Sequence, residues 1–369
     1  MNIQQFSQQG KRSNNEDSLG TSAALLTVCD GMGGHNYGER ASAFVKEAML
    51  ETFAEPQAIG KMEIQHRLNQ VQADLNLLLE REPELDKMGT TFTGVFITPD
   101  VWYAAYIGDS RIYLFRPSEQ KLWHTWDHSL VGELMRTKEI TVEAGRFHPM
   151  SNRISKAIIA QKDGKPANAS IVKIDELKKG DIFMLCSDGV IEAWGDWELV
   201  KLFSDEGLNF DQKCEKLKQQ CNEKSKDNNT AIIAEIEEED AFSYGNNDEL
   251  EWTTFAEVEA DYNQYVKDNQ EVEEEALKHE DKPMSKTESP ISKTMRKPLD
   301  IITEQPSVLY GPPFINKKRK MLTVLLVILA VLAVVSFFVL RGGKTEVGAS
   351  KEKTEQQVPQ SNPHKNNSL

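Results

Sequence analysis

Residues 321–340, MLTVLLVILAVLAVVSFFVL, form twenty consecutive positions without a charge. An α-helix rises about 1.5 Å per residue, so this run matches a hydrocarbon layer roughly 30 Å thick. A buried core helix is the competing reading, but core helices rarely run this long without polar residues. The run therefore predicts one transmembrane helix with a polar tail, 341–369, beyond it. Lys317, Lys318, Arg319 and Lys320 precede the span, and Arg341, Lys344, Lys351 and Lys353 follow it. The counts balance, so the positive-inside rule offers only the tighter cluster on the N-terminal side. The opening MNIQQFSQQGKR lacks the apolar stretch of a secretory signal. Four cysteines (Cys29, Cys186, Cys214, Cys221) show neither CxxC nor paired spacing, against a zinc knuckle or disulfide framework. Both features favour a single-pass protein of the cell membrane whose N-terminal domain lies in the cytoplasm.

The rest of the chain divides by charge. The formal net charge is −15. Residues 235–290 hold 19 acidic against 4 basic side chains, so this one segment equals the whole imbalance. Such acidity argues against a nucleic-acid partner, which is held mainly through its phosphates. Dense like charge with few aliphatics does not offset ordering entropy, so 237–316 is expected to be an acidic, largely disordered linker. Its aromatics, among them Trp252, Phe255, Tyr262 and Tyr265, allow a short partner-docking helix, but a solvated spacer is preferred.

Residues 1–236 carry apolar runs typical of strands at 21–29, 90–98, 101–107, 111–116, 169–174, 181–186 and 230–236. Helical periodicity appears near 38–54, 61–81, 128–137, 197–204 and 208–224. Strands in close succession with segregated helices predict a layered α+β domain, not a doubly wound parallel sheet. Several strands run directly into carboxylates. Leu25–Cys29 ends at Asp30-Gly31, 182–186 leads to Asp188 through Ser187, and 101–107 leads to Asp109. Asp227 stands just before the last strand. Each Asp-Gly alone is an ordinary turn signal. Four acids at strand ends instead suggest a shared site whose repulsion divalent cations relieve, and all-oxygen donors select Mg²⁺ or Mn²⁺ over zinc. Glycine at 31 would let a main-chain carbonyl approach such an ion. Arg12, four and five residues before Glu16 and Asp17, could clamp a phosphate beside it.

The blocks RSNNEDS (12–18), DGMGGH (30–35), GTT (89–91), GDSRIY (108–113), DHS (127–129), LCSDGV (185–190) and DNNTAI (227–232) resemble, in order and spacing, the metal-dependent Ser/Thr protein phosphatases of the 2C or PPM type, in their bacterial form. The resemblance covers about 1–236. It implies a central antiparallel β-sandwich flanked by helices (αββα) and a catalytic site built on two Mn²⁺ or Mg²⁺ ions, with a weaker third ion. Asp30 would bridge the pair and the Gly31 carbonyl would bind the second ion. Asp188 and Asp227 would complete the first, Glu16 and Asp17 would serve the second directly or through water, and Asp109 with Asp188 would hold the third. Arg12 would grip the substrate phosphate. The implied reaction is in-line attack on phosphorus by water activated between the two ions, without a phospho-enzyme.

Animal and plant members place a histidine after the Asp-Gly, proposed as general acid; Met32 stands there in this chain. His35 would shape the loop, His128 would be structural, and His66 would be an ordinary helical residue. The segment 130–170 would form the flap beside the cleft. The implied partners are phosphorylated Ser/Thr protein substrates and an opposing Ser/Thr kinase. The alternative is an inactive phosphatase-like adaptor in a membrane complex, which the complete ligand set disfavours.

Overall fold

The computed structural model describes residues 1–32, 37–162 and 165–280, with backbone alone for 272–280. The expected span at 321–340 and the tail lie outside these residues, as does His35. Among the described residues, no helix is long and apolar enough to cross a membrane.

The chain opens with strands β1 (Asn2–Gln8), β2 (Asp17–Thr21) and β3 (Leu25–Met32), then helices α1 (Gly38–Thr52) and α2 (Lys61–Arg81). Next come β4 (Gly89–Thr90), β5 (Phe92–Phe96), β6 (Trp102–Ile107), β7 (Arg111–Arg116) and β8 (Lys121–His124), followed by the short helices α3 (Leu130–Arg136) and α4 (Val142–Arg146). Strands β9 (Ile158–Ile159), β10 (Ser170–Ile174), β11 (Glu176–Leu177) and β12 (Ile182–Cys186) lead to α5 (Asp188–Ala193), α6 (Asp196–Ser204) and α7 (Phe210–Lys224). After β13 (Asn229–Glu235), β14 (Phe242–Ser243) and β15 (Thr253–Thr254) comes the long α8 (Phe255–Glu280).

Two antiparallel sheets form the centre. One runs β1-β13-β12-β7-β8-β15; the other runs β10-β6-β5-β3-β4-β9, with β2 also paired to β3. Period-two alternation sends Leu26 and Val28 of β3 into the core between the sheets, beside Leu114, Phe183, Leu185 and Ile232. Leu25 and Cys29 point the other way, against Val45 and Met49 of α1 and Leu68 of α2. Met184 and Ile233 of the other sheet face Val190, Leu199, Phe203 and Leu217 on α5, α6 and α7. Helices thus cover both outer faces, and the central strands read as continuous apolar runs because both sides are buried. This is the expected αββα layering.

One sequence expectation is corrected. The expected linker does not begin at 237, because ordered elements continue to residue 280. Leu250 is buried in the core between the sheets, and Phe255 and Val258 are buried in the core that contains α6. Phe255, Val258, Tyr262 and Tyr265 repeat at helical spacing, which gives α8 an apolar edge despite its acidic average.

Candidate active site

The carboxylates gather because strand ends gather. In the β2–β3 ladder Asp17 stands opposite Asp30. Asp188 is the first residue of α5, separated from the end of β12 by Ser187, where the positive end of a helix favours a carboxylate. Asp227 lies two residues before β13, which pairs with β12. Asp109 sits in the β6–β7 turn, reached through Gly108 at φ +110, a conformation that favours glycine. Arg12, Glu16, Asp30, Gly31, Asp109, Asp188 and Asp227 line one cleft of about 430 Å³, joined by Asn152 and Ile154 from the flap. Asp17 is buried behind the others, 9% exposed. Every sequence-predicted site residue therefore lies in this cleft or directly against it.

A layer of hydrogen bonds, not foreseen from the sequence, fixes these positions. The Asp30 N–H donates to Thr91 Oγ1 at 2.9 Å, while Thr90 Oγ1 donates to the Asp30 carbonyl at 2.9 Å. This is the structural reason for the GTT block. Ser187 Oγ donates to Asp17 Oδ2 at 2.8 Å and accepts the Thr230 N–H at 3.0 Å. Asn228 Oδ1 accepts the Glu16 N–H at 2.9 Å, and its amide nitrogen donates to the carbonyls of Gln9 and Asn14, both at 2.8 Å. The Arg12 loop is thereby tied to the Asp227 loop. Buried Arg111 grips Asp127 with Nε at 2.6 Å and Nη2 at 2.8 Å, linking the GDSRIY and DHS blocks as a two-point ion pair. Glu192 Oε2 accepts from Ser225 Oγ, the Lys226 N–H and the Asp227 N–H, at 3.2, 2.8 and 3.2 Å.

His128 is a supporting residue here. Its Nδ1 accepts the Gly108 N–H at 3.1 Å, Nε2 meets Ser170 Oγ at 2.9 Å, and the ring stacks on Tyr106. Burial, aided by the charge of Lys156, lowers its pKa to about 4, which keeps it a neutral brace for the Asp109 turn. His66 is exposed on α2. Gly31 has a steric role besides any carbonyl contact. A Cβ there would stand 2.2 Å from the Gly38 carbonyl oxygen and 2.5 Å from that of Glu16.

Electrostatics set the chemistry of the cleft. Burial first, and then the charges of Asp17 and Asp188, push the Asp30 carboxyl well above its ordinary range. Asp188 is raised likewise by burial and by Asp109 and Asp227. Asp109 rises to about 7, through burial and Asp127, and Asp17 to about 6, chiefly through burial. Arg12 pairs with Asp227 and remains 60% exposed at the cleft mouth. Its guanidinium is the cationic lining residue of a mostly acidic cleft.

Among the described residues, no group of three or more His, Cys, Asp or Glu side chains is already arranged to enclose a metal ion. The donor chemistry nonetheless fits divalent cations. It is all oxygen, the carboxylates act on one another's charge, and buried Asp17 Oδ1 has no hydrogen-bond partner. A hard cation would satisfy that atom and relieve the repulsion.

Known proteins are similar to this chain in sequence and fold. The serine/threonine protein phosphatase PstP of Mycobacterium tuberculosis is 32% identical over 191 residues, 52% of this chain and 36% of PstP. The chain thus spans about a third of that relative's length. The crystal structure of serine/threonine phosphatase Stp1 from Staphylococcus aureus superposes with a TM-score of 0.56 at 31% identity, covering 64% of this chain and 94% of that one. The catalytic domain of PstP in complex with two manganese ions gives 0.55 at 27% identity, covering 64% and 98%. The family model for protein phosphatase 2C matches residues 6–232, well over half of the sequence and all of the cleft's carboxylates, and the chain belongs to that family.

Proposed function

We propose that this chain is a membrane-anchored protein phosphatase that hydrolyses phosphoserine and phosphothreonine in protein substrates with the help of two Mn²⁺ or Mg²⁺ ions, and a weaker third. The observation that carries this reading is the convergence of Asp30, Asp109, Asp188, Asp227 and Glu16, with Arg12, on one cleft. The names of PstP and Stp1, and the two manganese ions bound to PstP, support the substrate class and the cofactor.

Asp30, the Gly31 carbonyl, Asp188 and Asp227 would hold the principal pair of ions, with Glu16 and Asp17 at the second and Asp109 at the third. Bound there, the ions would supply Lewis-acid charge to the phosphoryl oxygens and lower the pKa of an attacking water. Thr90 and Thr91 keep the Asp30 main chain fixed, so its carboxylate is preorganised. Arg12 would exchange part of its hold on Asp227 for the substrate, donating two N–H groups to phosphoryl oxygens. No cysteine nucleophile competes with this reading: Cys29 is buried with its thiol pushed up to about 12, and Cys186 is buried and raised further.

Anchoring through 321–340, with the phosphatase domain in the cytoplasm, would concentrate the enzyme near membrane-bound phosphoproteins and an opposing Ser/Thr kinase. The test uses the full chain purified in detergent, a phosphothreonine peptide, and millimolar Mn²⁺ or Mg²⁺ with and without EDTA. Phosphate release that EDTA abolishes is the expected result. A folded chain that releases none with either ion would replace this reading with the adaptor. Deleting 321–340 should release the protein from washed membranes, and protection of the domain from protease in intact cells checks its orientation.

A further inference from the structure

Helix α8 reaches the cleft indirectly, through a series of contacts running across the flap. Phe255 and Val258 are buried in the core shared with α6, so the start of α8 is fixed to the body of the domain. One turn further on, Asp261 Oδ2 accepts the Val142 N–H at 2.9 Å, the first amide of α4. Tyr265 then stacks on Phe147 just past α4, with ring centroids 6.1 Å apart and planes 24° from parallel. The Arg146 guanidinium lies 4.3 Å from the Phe147 ring centroid, pairs with Glu143, and donates to the Ile191 and Glu192 carbonyls of α5 at 3.4 and 3.2 Å. Within eight residues of this cluster the same segment supplies Asn152 and Ile154 to the cleft wall. A bridge between Ser129 and Ile154, and the Ser155 N–H donating to the His128 carbonyl at 2.6 Å, hold the segment's far end.

We propose that α8 is a brace that sets the position of segment 142–154, and through it the substrate-facing wall of the cleft, with Asp261 as the positioning residue. Asp261 touches no reacting atom. It takes the Val142 amide, which Thr141 Oγ1, accepting the Ala144 N–H at 3.1 Å, leaves uncapped, and a helix that short has few bonds of its own to hold it. Because Asn152 and Ile154 are wall residues, the brace acts on a substrate large enough to reach them. A phosphopeptide has flanking residues that can reach that wall, whereas an aryl phosphate has none. The proposal rests on the phosphatase reading for its kinetic arm only.

The experiment compares Asp261→Ala and Asp261→Asn with the unaltered full chain in detergent. Backbone hydrogen exchange over 142–154 is measured by mass spectrometry, together with KM and kcat for a phosphothreonine peptide and for p-nitrophenyl phosphate with Mn²⁺. Asp261→Ala should speed exchange in 142–154 and raise the peptide KM about fivefold, the typical scale of one lost cap, while p-nitrophenyl phosphate turnover stays within about twofold. Asp261→Asn keeps an acceptor oxygen and should behave as the unaltered chain does. Unchanged exchange in Asp261→Ala, or equal losses on both substrates, would overturn the brace. If the unaltered chain releases no phosphate, the phosphatase reading fails, and the exchange result alone then decides whether α8 positions the segment.

Discussion

Removing divalent cations should destabilise this protein increasingly as pH rises, and the size of the effect follows from two buried carboxyls. Asp109 is raised from 3.8 to about 7 and Asp17 from 3.8 to about 6. Between those values the folded, metal-free state binds more protons than the unfolded chain. Stability therefore falls as pH climbs, and the penalty is complete only above the folded values. Integrated from pH 5 to 8, the two groups together remove about 4 kcal/mol from the metal-free protein. Asp30 and Asp188, raised further still, add in the same direction. His128 opposes this trend. Its folded value of about 4 lies below 6.5, so its contribution improves as pH rises past that range. A cation nearby would lower that value further, so His128 stays mostly neutral from pH 5 to 8 in either case and nearly cancels in the difference between the two melting curves. The assay is thermal unfolding of the full chain in detergent at pH 5, 6.5 and 8, with EDTA and with saturating Mn²⁺. The gap between the two midpoints should widen by about 8–16 °C from pH 5 to 8 for a domain of this size. A gap that stays constant or narrows would refute the argument that these carboxylates are held together by cation charge.

Asp188→Asn should reduce turnover on a phosphothreonine peptide by at least about a thousandfold, the scale of a lost electrostatic anchor, while the EDTA-treated variant melts no lower than its parent, because one repelling charge has gone. Arg12→Ala should raise KM for phosphopeptide and leave the melting midpoint within about 2 °C, since the Arg12–Asp227 pair is largely exposed and such pairs contribute about 0–1 kcal/mol. Gly31→Ala should destabilise the domain by about 2 kcal/mol or more, because the added Cβ meets fixed main chain at Gly38 and Glu16; a midpoint equal to the parent's would show that the β3–α1 junction yields. Glu192→Ala should weaken Mn²⁺ binding in calorimetry by roughly tenfold, as expected when a partner that orients a ligand is lost, with amide exchange at 226 and 227 accelerated in step.

The layers of the fold were legible wherever a strand is buried on both faces. Residues 25–29, Trp102–Ile107 and Ile182–Cys186 announce themselves as largely apolar runs because helices cover one side and the opposing sheet the other. Asn2–Gln8 escaped notice because only Phe6 of its seven residues is buried; its pairing with β13 comes from main-chain bonds, which leave no hydrophobic signature. Asp188–Ala193 is too short to show a helical period, so Asp188 read as a strand end when it is the first residue of a helix. In α8 the opposite error arose. Averaging charge over 237–316 hid an apolar edge that a helical count from Phe255 through Val258 to Tyr265 recovers.

Within the site, legibility divides by how a residue acts. Asp30, Asp109, Asp188 and Asp227 reveal themselves because a carboxylate at the end of a buried strand is costly there and calls for a reason. Thr91, Ser187, Asn228 and Glu192 give no such signal, since polar residues in loops and on short helices are ordinary and their worth lies in partners 35 to 212 residues away along the chain. Those partners are the main-chain and side-chain atoms of the carboxylate-bearing segments themselves. The motif blocks are therefore units of two kinds interleaved: acids that repel one another, and neutral acceptors and donors that keep them from moving apart. A chain could retain every acid and still lose the site if Thr91 or Asn228 were changed, because the repulsion among the acids would then meet no restraint. Counting ligands alone is thus an incomplete criterion for activity in this family; the separation of an active enzyme from an inert adaptor depends equally on the hydrogen bonds that hold the ligands in place.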